Sequence, residues 1–324
     1  MINSINSNEL LIAITFDLDP DAHDMSIDDR YRQGCLSWKG IEEGIPLINK
    51  LLRQIKFIKE RPNLTWFVRV DNQIKSLYGD SCYIYDLYID LLNECRRNGD
   101  EIAWHPHLYM NEDGNWTQET DETKLESYLI ESFESIKKRD WHISSVRIGE
   151  NYCSESILST LDRLAIKFDS TAMPGRERND RQRNFDWSET PETPYQPSKR
   201  NFRVAGKPSY NIIELPFTMK KIKAEYDENP LLRYIDLSFH PEILKPALSD
   251  IAVNNNFLIT VTHPSCLMPD VFPSRHGLLA YSECAFKENL THLLAECEAN
   301  SRKYRFVGLS QGARDYLNKN TFSL

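Results

Sequence analysis

The sequence has no CxxC pair, no long apolar run and no excess of positive charge, and each absence removes a class of protein. Its seven cysteines, Cys35, Cys82, Cys95, Cys153, Cys266, Cys284 and Cys297, are odd in number and scattered. That arrangement argues against a disulfide framework and against a thiolate zinc site, and fits reduced thiols in a cytosolic compartment. No stretch approaches the ~20 apolar residues of a membrane span. The opening MINSINSNEL lacks the positive and apolar regions of a signal peptide. A soluble, cytoplasmic protein with no membrane insertion is expected. The formal net charge of −9 argues against a nucleic-acid partner, whose phosphates call for basic surface. The 39 lysines and arginines still leave room for a local basic pocket. There is no internal repeat and no low-complexity tract.

What is present is an ordinary globular composition, 40% hydrophobic and 27% charged, in 324 residues, enough to bury a sizeable core. Apolar or β-rich runs recur at residues 10–16, 64–70, 101–105, 145–149, 212–217, 257–263 and 304–309, with 166–170 as an eighth candidate. Between most of them, residues 44–59, 83–97, 122–138, 155–164 and 285–301 carry apolar side chains at helical spacing. Strands alternating with helices predict an α/β protein with a parallel sheet. Seven or eight such units in one chain predict a closed or nearly closed (β/α) barrel, with its functional residues where the strands end. Residues 173–209 break the rhythm. They are rich in Pro, Arg, Asn and Gly, but Phe185, Trp187, Tyr195 and Phe202 argue for order. The segment is expected to form a lid or wall over the barrel mouth, and residues 26–39 are a second such loop.

Four strand ends carry groups suited to chemistry. The run LLIAITFDLDPD stops at Asp17 and Asp19, which in an extended chain face the same way; an acidic turn is the competing reading. The stretch EIAWHPH ends in His105 and His107, two apart and able to share a metal, or else a core and a loop histidine. His263 closes FLITVTH and is placed either for proton transfer or as a loop cap. Arg147 ends SVR, where it could hold a carboxylate or make a surface ion pair of little energetic value.

Taken in order, these motifs resemble the polysaccharide deacetylase family, the NodB-homology or carbohydrate esterase 4 group. The resemblance rests on Thr15-Phe16-Asp17-Leu18-Asp19, on Thr65-Trp66-Phe67, on Gly99 to His107, on Val146-Arg147-Ile148-Gly149 and on Thr260 to Pro264. Residues 169–175 and 185–198 are closer to bacterial members linked to lipopolysaccharide and surface-glycan biosynthesis. The family implies a distorted (β/α) barrel, one catalytic domain over residues 1–324, a divalent metal, expected to be Zn2+, and removal of an N-acetyl or other acyl group from an amino sugar or glycan precursor. Carried over by position, Asp17 is the general base, Asp19 and His105 are metal ligands, His263 is the general acid and Arg147 steadies Asp17. Two departures stand out. Leu18 separates the acids, and Tyr109 occupies the place of the usual second histidine, so His107 is taken as its substitute.

A non-catalytic carbohydrate-binding member of the same fold is the alternative, motivated by Tyr109. A glycosidase using Asp17 and Asp19 ranks lower, because two acids on one strand face are better placed to share a metal than to flank a sugar. Within 174–198, Arg176, Trp187 and Tyr195 are candidate substrate contacts. With Arg178 and Arg181 they suggest a substrate with ring faces and negative charge, such as a nucleotide-linked or phosphorylated sugar; a solvated polar loop is the plainer reading.

Overall fold

The computed structural model describes residues 8–21, 36–180, 183–269 and 277–320. Most of the expected loop at 26–39, together with Cys35 and Arg181, lies outside the described residues. The strands, in chain order, are β1 (Glu9–Ala13), β2 (Thr15–Leu18), β3 (Thr65–Arg69), β4 (Glu101–His105), β5 (Tyr109–Glu112), β6 (Asn115–Gln118), β7 (Ser145–Val146), β8 (Phe168–Asp169), β9 (Glu177–Asn179), β10 (Asn184–Asp186), β11 (Ile213–Glu214), β12 (Met219–Ile222), β13 (Leu231–Tyr234), β14 (Phe257–Ile259) and β15 (Lys303–Phe306).

The first apolar run is divided at Ile14. Its lower half, β1, pairs in parallel with β14 on one side and β15 on the other. Its upper half, β2, pairs in parallel with β3 and begins a six-stranded parallel sheet of order β2–β3–β4–β7–β8–β11. The acids at the end of this run therefore stand where two parallel sheets meet. The expected closed barrel is not drawn as one ladder. Among the described residues β11 and β14 share no ladder, and the two sides meet through Thr218, which donates its main-chain N–H to Ile259 O (3.3 Å) and accepts from Ile259 N (2.9 Å). The physical reason is length: β7, β8 and β11 have two residues each, too few to propagate pairing.

Alternation along the strands sorts side chains into two layers. Phe16, Leu18, Trp66, Val68, Ile102 and Trp104 pack outward under the helices. Leu11, Ala13, Phe67, Ala103, Phe168, Leu215 and Ile259 fill the space between the sheets. This inner face continues upward into Asp17, Arg69 and His105, so the apolar interior ends in a polar floor. The helices cover the outside for ordinary reasons. Gly44–Leu52 buries Ile45, Ile48, Leu51 and Leu52 at helical spacing. Glu122–Lys137 and Glu155–Arg163 begin at the capping residues Asp121 and Ser154. Helices Pro241–Asn254 and Glu283–Ala299 pack against each other. No described helix is long and apolar enough to cross a membrane.

Three antiparallel hairpins rise from the strand ends: β5–β6, β9–β10 and β12–β13. The irregular segment 173–209 holds β9 and β10. Met173, Phe185 and Trp187 join Phe217, Met219 and Val261 in a small core of their own, with Phe202 against Trp187, which is the order its aromatics implied.

Candidate metal centre and cavity

Asp19, His105 and His107 bring one donor atom each to within 4.8 Å of one another, and all three side chains are buried. Nε2 of His105 is 3.4 Å from Asp19 Oδ2, and Nε2 of His107 is 3.4 Å from Asp19 Oδ1. The two Nε2 atoms face each other at 3.2 Å. Their protonation follows from what the opposite ring nitrogens do. Nδ1 of His105 lies 2.7 Å from the carbonyl of Arg147, which can only accept, so this Nδ1 carries the proton. Nδ1 of His107 lies 2.8 Å from the hydroxyl of Tyr109, whose own proton goes to Glu150 Oε1 at 2.9 Å. Both Nε2 atoms thus present lone pairs to one point beside a carboxylate. Burial first, and then the neighbouring Arg69 guanidinium, hold His107 well below its ordinary pKa, so it stays neutral. Lone pairs at this spacing repel unless positive charge sits between them. Two neutral imidazoles and a carboxylate, each anchored by a further hydrogen bond, are a donor set that fits a divalent transition metal such as zinc.

Asp17 stands beside this group, its Oδ2 3.9 Å from His105 Nε2. Its other oxygen takes a 2.6 Å bond from Arg147 Nη1. Arg147 is itself buried, bonded to Ser170 O through Nε (3.0 Å) and layered over the rings of Phe67 and Phe217. Burial works against the charge of this guanidinium and lowers its pKa, although Asp17 opposes the shift. Behind it, Asp169 and Glu214 are fully buried. Glu214 Oε1 accepts from the main-chain N–H groups of Thr171 and Ala172, and Thr171 Oγ1 donates to Asp169 and accepts from Ile148 N. Burial raises both carboxyls: Asp169 to about 7, although its bonds to Thr171 and Glu214 oppose the shift, and Glu214 well above its ordinary value, with the Asp169 charge adding to the effect. His263 Nε2 is 3.1 Å from Asp19 Oδ2. Burial disfavours its charged form, but the bond to Asp19 and the charges of Asp19, Asp17 and Asp236 together outweigh this and raise its pKa, so His263 is ready to carry a proton.

Asp17, Asp19, His105, His107, Arg147 and His263 all line one cavity of about 400 Å3. Arg176 and Arg178 line it as well. Trp187 and Tyr195 do not. Trp187 is 1% exposed, packs on Phe202 and donates to Asn151 O, while Tyr195 is bonded to Phe202 O and pairs with Glu214. These two aromatics build the wall from behind instead of facing a ligand.

Several groups at the site carry no short motif. Arg69, 0% exposed, ties Asp19 (2.9 Å) to Asp71 (2.6 Å) and Gln73 (2.7 Å). The signal was an arginine inside the apolar run LTWFVRV, two residues before Asp71. Glu150, Arg183 and Arg233 reach the cavity from loops and hairpins, where no periodicity marks them. Gly149 allows His107 its place: a Cβ there would lie 2.1 Å from Cδ2 of that ring.

No protein-family model matches the chain, and no curated protein matches its sequence. Solved structures do match. A Mycobacterium smegmatis protein assigned as a polysaccharide deacetylase superposes with a TM-score of 0.56 at 16% identity, over 98% of this chain and 93% of that one. A carbohydrate esterase 4 family pseudoenzyme from Bacillus anthracis gives 0.42 at 8% identity, over 94% and 66%. A Bordetella bronchiseptica protein assigned as a polysaccharide deacetylase involved in O-antigen biosynthesis gives 0.39 at 13% identity, over 88% and 89%. The first of these shows the fold: the chain shares that of a protein assigned as a polysaccharide deacetylase. At TM-scores below 0.5 the other two add nothing to that assignment.

Proposed function

We propose that this protein is a metal-dependent hydrolase that removes an N-acetyl or other acyl group from an amino sugar or glycan precursor. The observation that carries the reading is the pair of Nε2 lone pairs meeting at 3.2 Å beside Asp19, next to an Asp17 carboxylate held by Arg147. A divalent ion, with zinc the best match to this donor set, would acidify water and polarise the acyl carbonyl.

The chain's own residues supply the rest. Asp17 accepts a proton from water as its oxygen bonds to the acyl carbon. Arg147 fixes the orientation of Asp17 through its 2.6 Å bond. His263, charged beside Asp19, gives its proton to the sugar nitrogen as the carbon–nitrogen bond breaks, so that the amine leaves neutral. The products are a carboxylic acid and a free amino sugar, with no external oxidant or reductant. The two sheets and their short upper strands are read as a distorted (β/α) barrel forming one catalytic unit over residues 1–324. The free cysteines among the described residues support a reducing, cytoplasmic setting.

The test is acetate release from N-acetylated sugars by the metal-loaded protein, with metal content measured on the same sample. Release that stops on chelation, returns with zinc and is lost in Asp17→Asn is the expected result. Full activity in the chelated protein or in that variant would sink the proposal.

A further inference from the structure

Besides Arg147, four guanidinium groups line the cavity that holds the metal-type ligands: Arg176, Arg178, Arg183 and Arg233. In a chain of net charge −9 such a concentration is not a consequence of composition. Three of them are offset. Arg183 Nε bonds Glu150 at 2.9 Å, Arg233 bonds Asp227 at 2.8 and 3.1 Å, and Arg178 bonds Asp180. Arg176 has no carboxylate among the described residues. Its one side-chain bond runs from Nη1 to the main-chain carbonyl of Leu232 at 2.6 Å, which ties the start of the β9–β10 hairpin to β13. Its remaining N–H donors meet no protein acceptor among those residues. The charges that act on it, after burial, are Arg233 and Arg178, and both repel it. A half-buried guanidinium with spare donors, flanked by like charge in a cavity wall, gains from an oxyanion in two ways. The anion relieves the repulsion, and it takes charge-assisted bonds for which the planar fork is already set.

We propose that Arg176, with Arg178 and Arg233 beside it, forms an oxyanion subsite in the cavity wall, and that the substrate is an acylated amino sugar carrying a phosphate ester or a carboxylate. The sugar part of this assignment rests on the hydrolase reading above; the anion subsite does not.

The experiment is calorimetric titration at low salt with three N-acetylated ligands: N-acetylglucosamine 1-phosphate, the corresponding uronic acid and the neutral methyl glycoside. At least one anionic ligand should bind about tenfold or more tightly than the neutral one, and added salt should erode the difference. Arg176→Gln should bring the ratio toward one, and Arg176→Lys should keep part of it. Because Arg176 also joins two hairpins, Arg178→Gln is the second variant; it leaves the Leu232 bond untouched and should lower the ratio by a smaller factor. Preference for the phosphate assigns the ester, and preference for the uronate assigns the carboxylate. Equal affinities in the native protein, or a ratio unchanged in both glutamine variants, would overturn the subsite. Acetate release measured on the same samples separates the two readings. Charge preference without release removes the hydrolase and keeps the subsite, whereas release from the neutral glycoside with no charge preference does the reverse.

Discussion

The phenol of Tyr109 bridges His107 and Glu150, 2.8 Å from the imidazole Nδ1 and 2.9 Å from a carboxylate oxygen. Tyr109 stands where the resembling family carries its second histidine. Here it offers no nitrogen to the candidate centre; it holds His107, the histidine proposed to do so. Its hydroxyl gives its proton to Glu150 and keeps a lone pair for His107, which fixes the tautomer with Nε2 free. Tyr109→Phe should therefore weaken zinc affinity about 10–100-fold with little change in fold. Competition with a chromophoric chelator measures it. An unchanged dissociation constant would mean that the bridge has no hold on His107.

Gly149→Ala tests the same histidine from its other side. The added methyl would meet the His107 ring at 2.1–2.4 Å, far inside contact distance, so the ring must turn. Overpacking of this kind costs about 1–3 kcal/mol, and here it should also abolish stoichiometric metal. Thermal unfolding and metal analysis on one preparation give both numbers. Full metal content at native stability would show that the ring has room to move.

Arg147→Met removes the guanidinium and keeps most of the apolar packing against Phe67 and Phe217. It leaves Asp17 buried without its partner, which costs about 3–5 kcal/mol for an interior pair broken on one side. Denaturant unfolding should show a loss of that size, and the paired variant Arg147→Met with Asp17→Asn should recover part of it. Additive losses in the double variant would argue that the two side chains act independently.

Asp169 and Glu214 make a prediction about pH. Both carboxyls sit above their unfolded values of 3.8 and 4.5, Asp169 at about 7. The native state thus keeps protons that the unfolded chain releases. Their stabilising contribution is complete below about pH 4 and is lost as pH rises through 7. Asp169→Asn can still accept from Thr171 and should flatten that part of the stability profile. Urea midpoints from pH 4 to 8 test it. A native slope of opposite sign, or an identical slope in the variant, would contradict the assignment.

The sequence was most informative where one strand face carries the chemistry. All eight apolar runs become strands, though often shorter ones, and Asp17, Asp19, His105, Arg147 and His263 converge because each stands at or just beyond a strand end. The helix 241–254 escaped notice because Pro246 interrupts its pattern. The hairpins at 109–118, 177–186 and 219–234 escaped because they are short and half exposed. Trp187 and Tyr195 were expected at a ligand surface because aromatics in a polar loop suggest one. Trp187 instead belongs to the loop's own core and Tyr195 is buried against Phe202 O, a distinction that only tertiary contacts make. Glu150 meets the Tyr109 hydroxyl from 41 residues further along the chain, and no local spacing encodes that meeting.

The division of the first strand at Ile14 has a bearing on how the protein is made. Asp17 is aligned by a bond from its main-chain N–H to Thr262 O, and the strand beneath it by ladders to residues 257–259 and 303–306. A shift of one residue would aim Phe16 and Leu18 where the acids belong. On the ribosome the carboxylates emerge first and β3 follows to set their register on one side, but the pairing on the other side waits for residues 257–262 and 303–306, near the end of the polypeptide. A nascent chain lacking that portion would carry Asp19, His105 and His107 with the first strand held along one edge only.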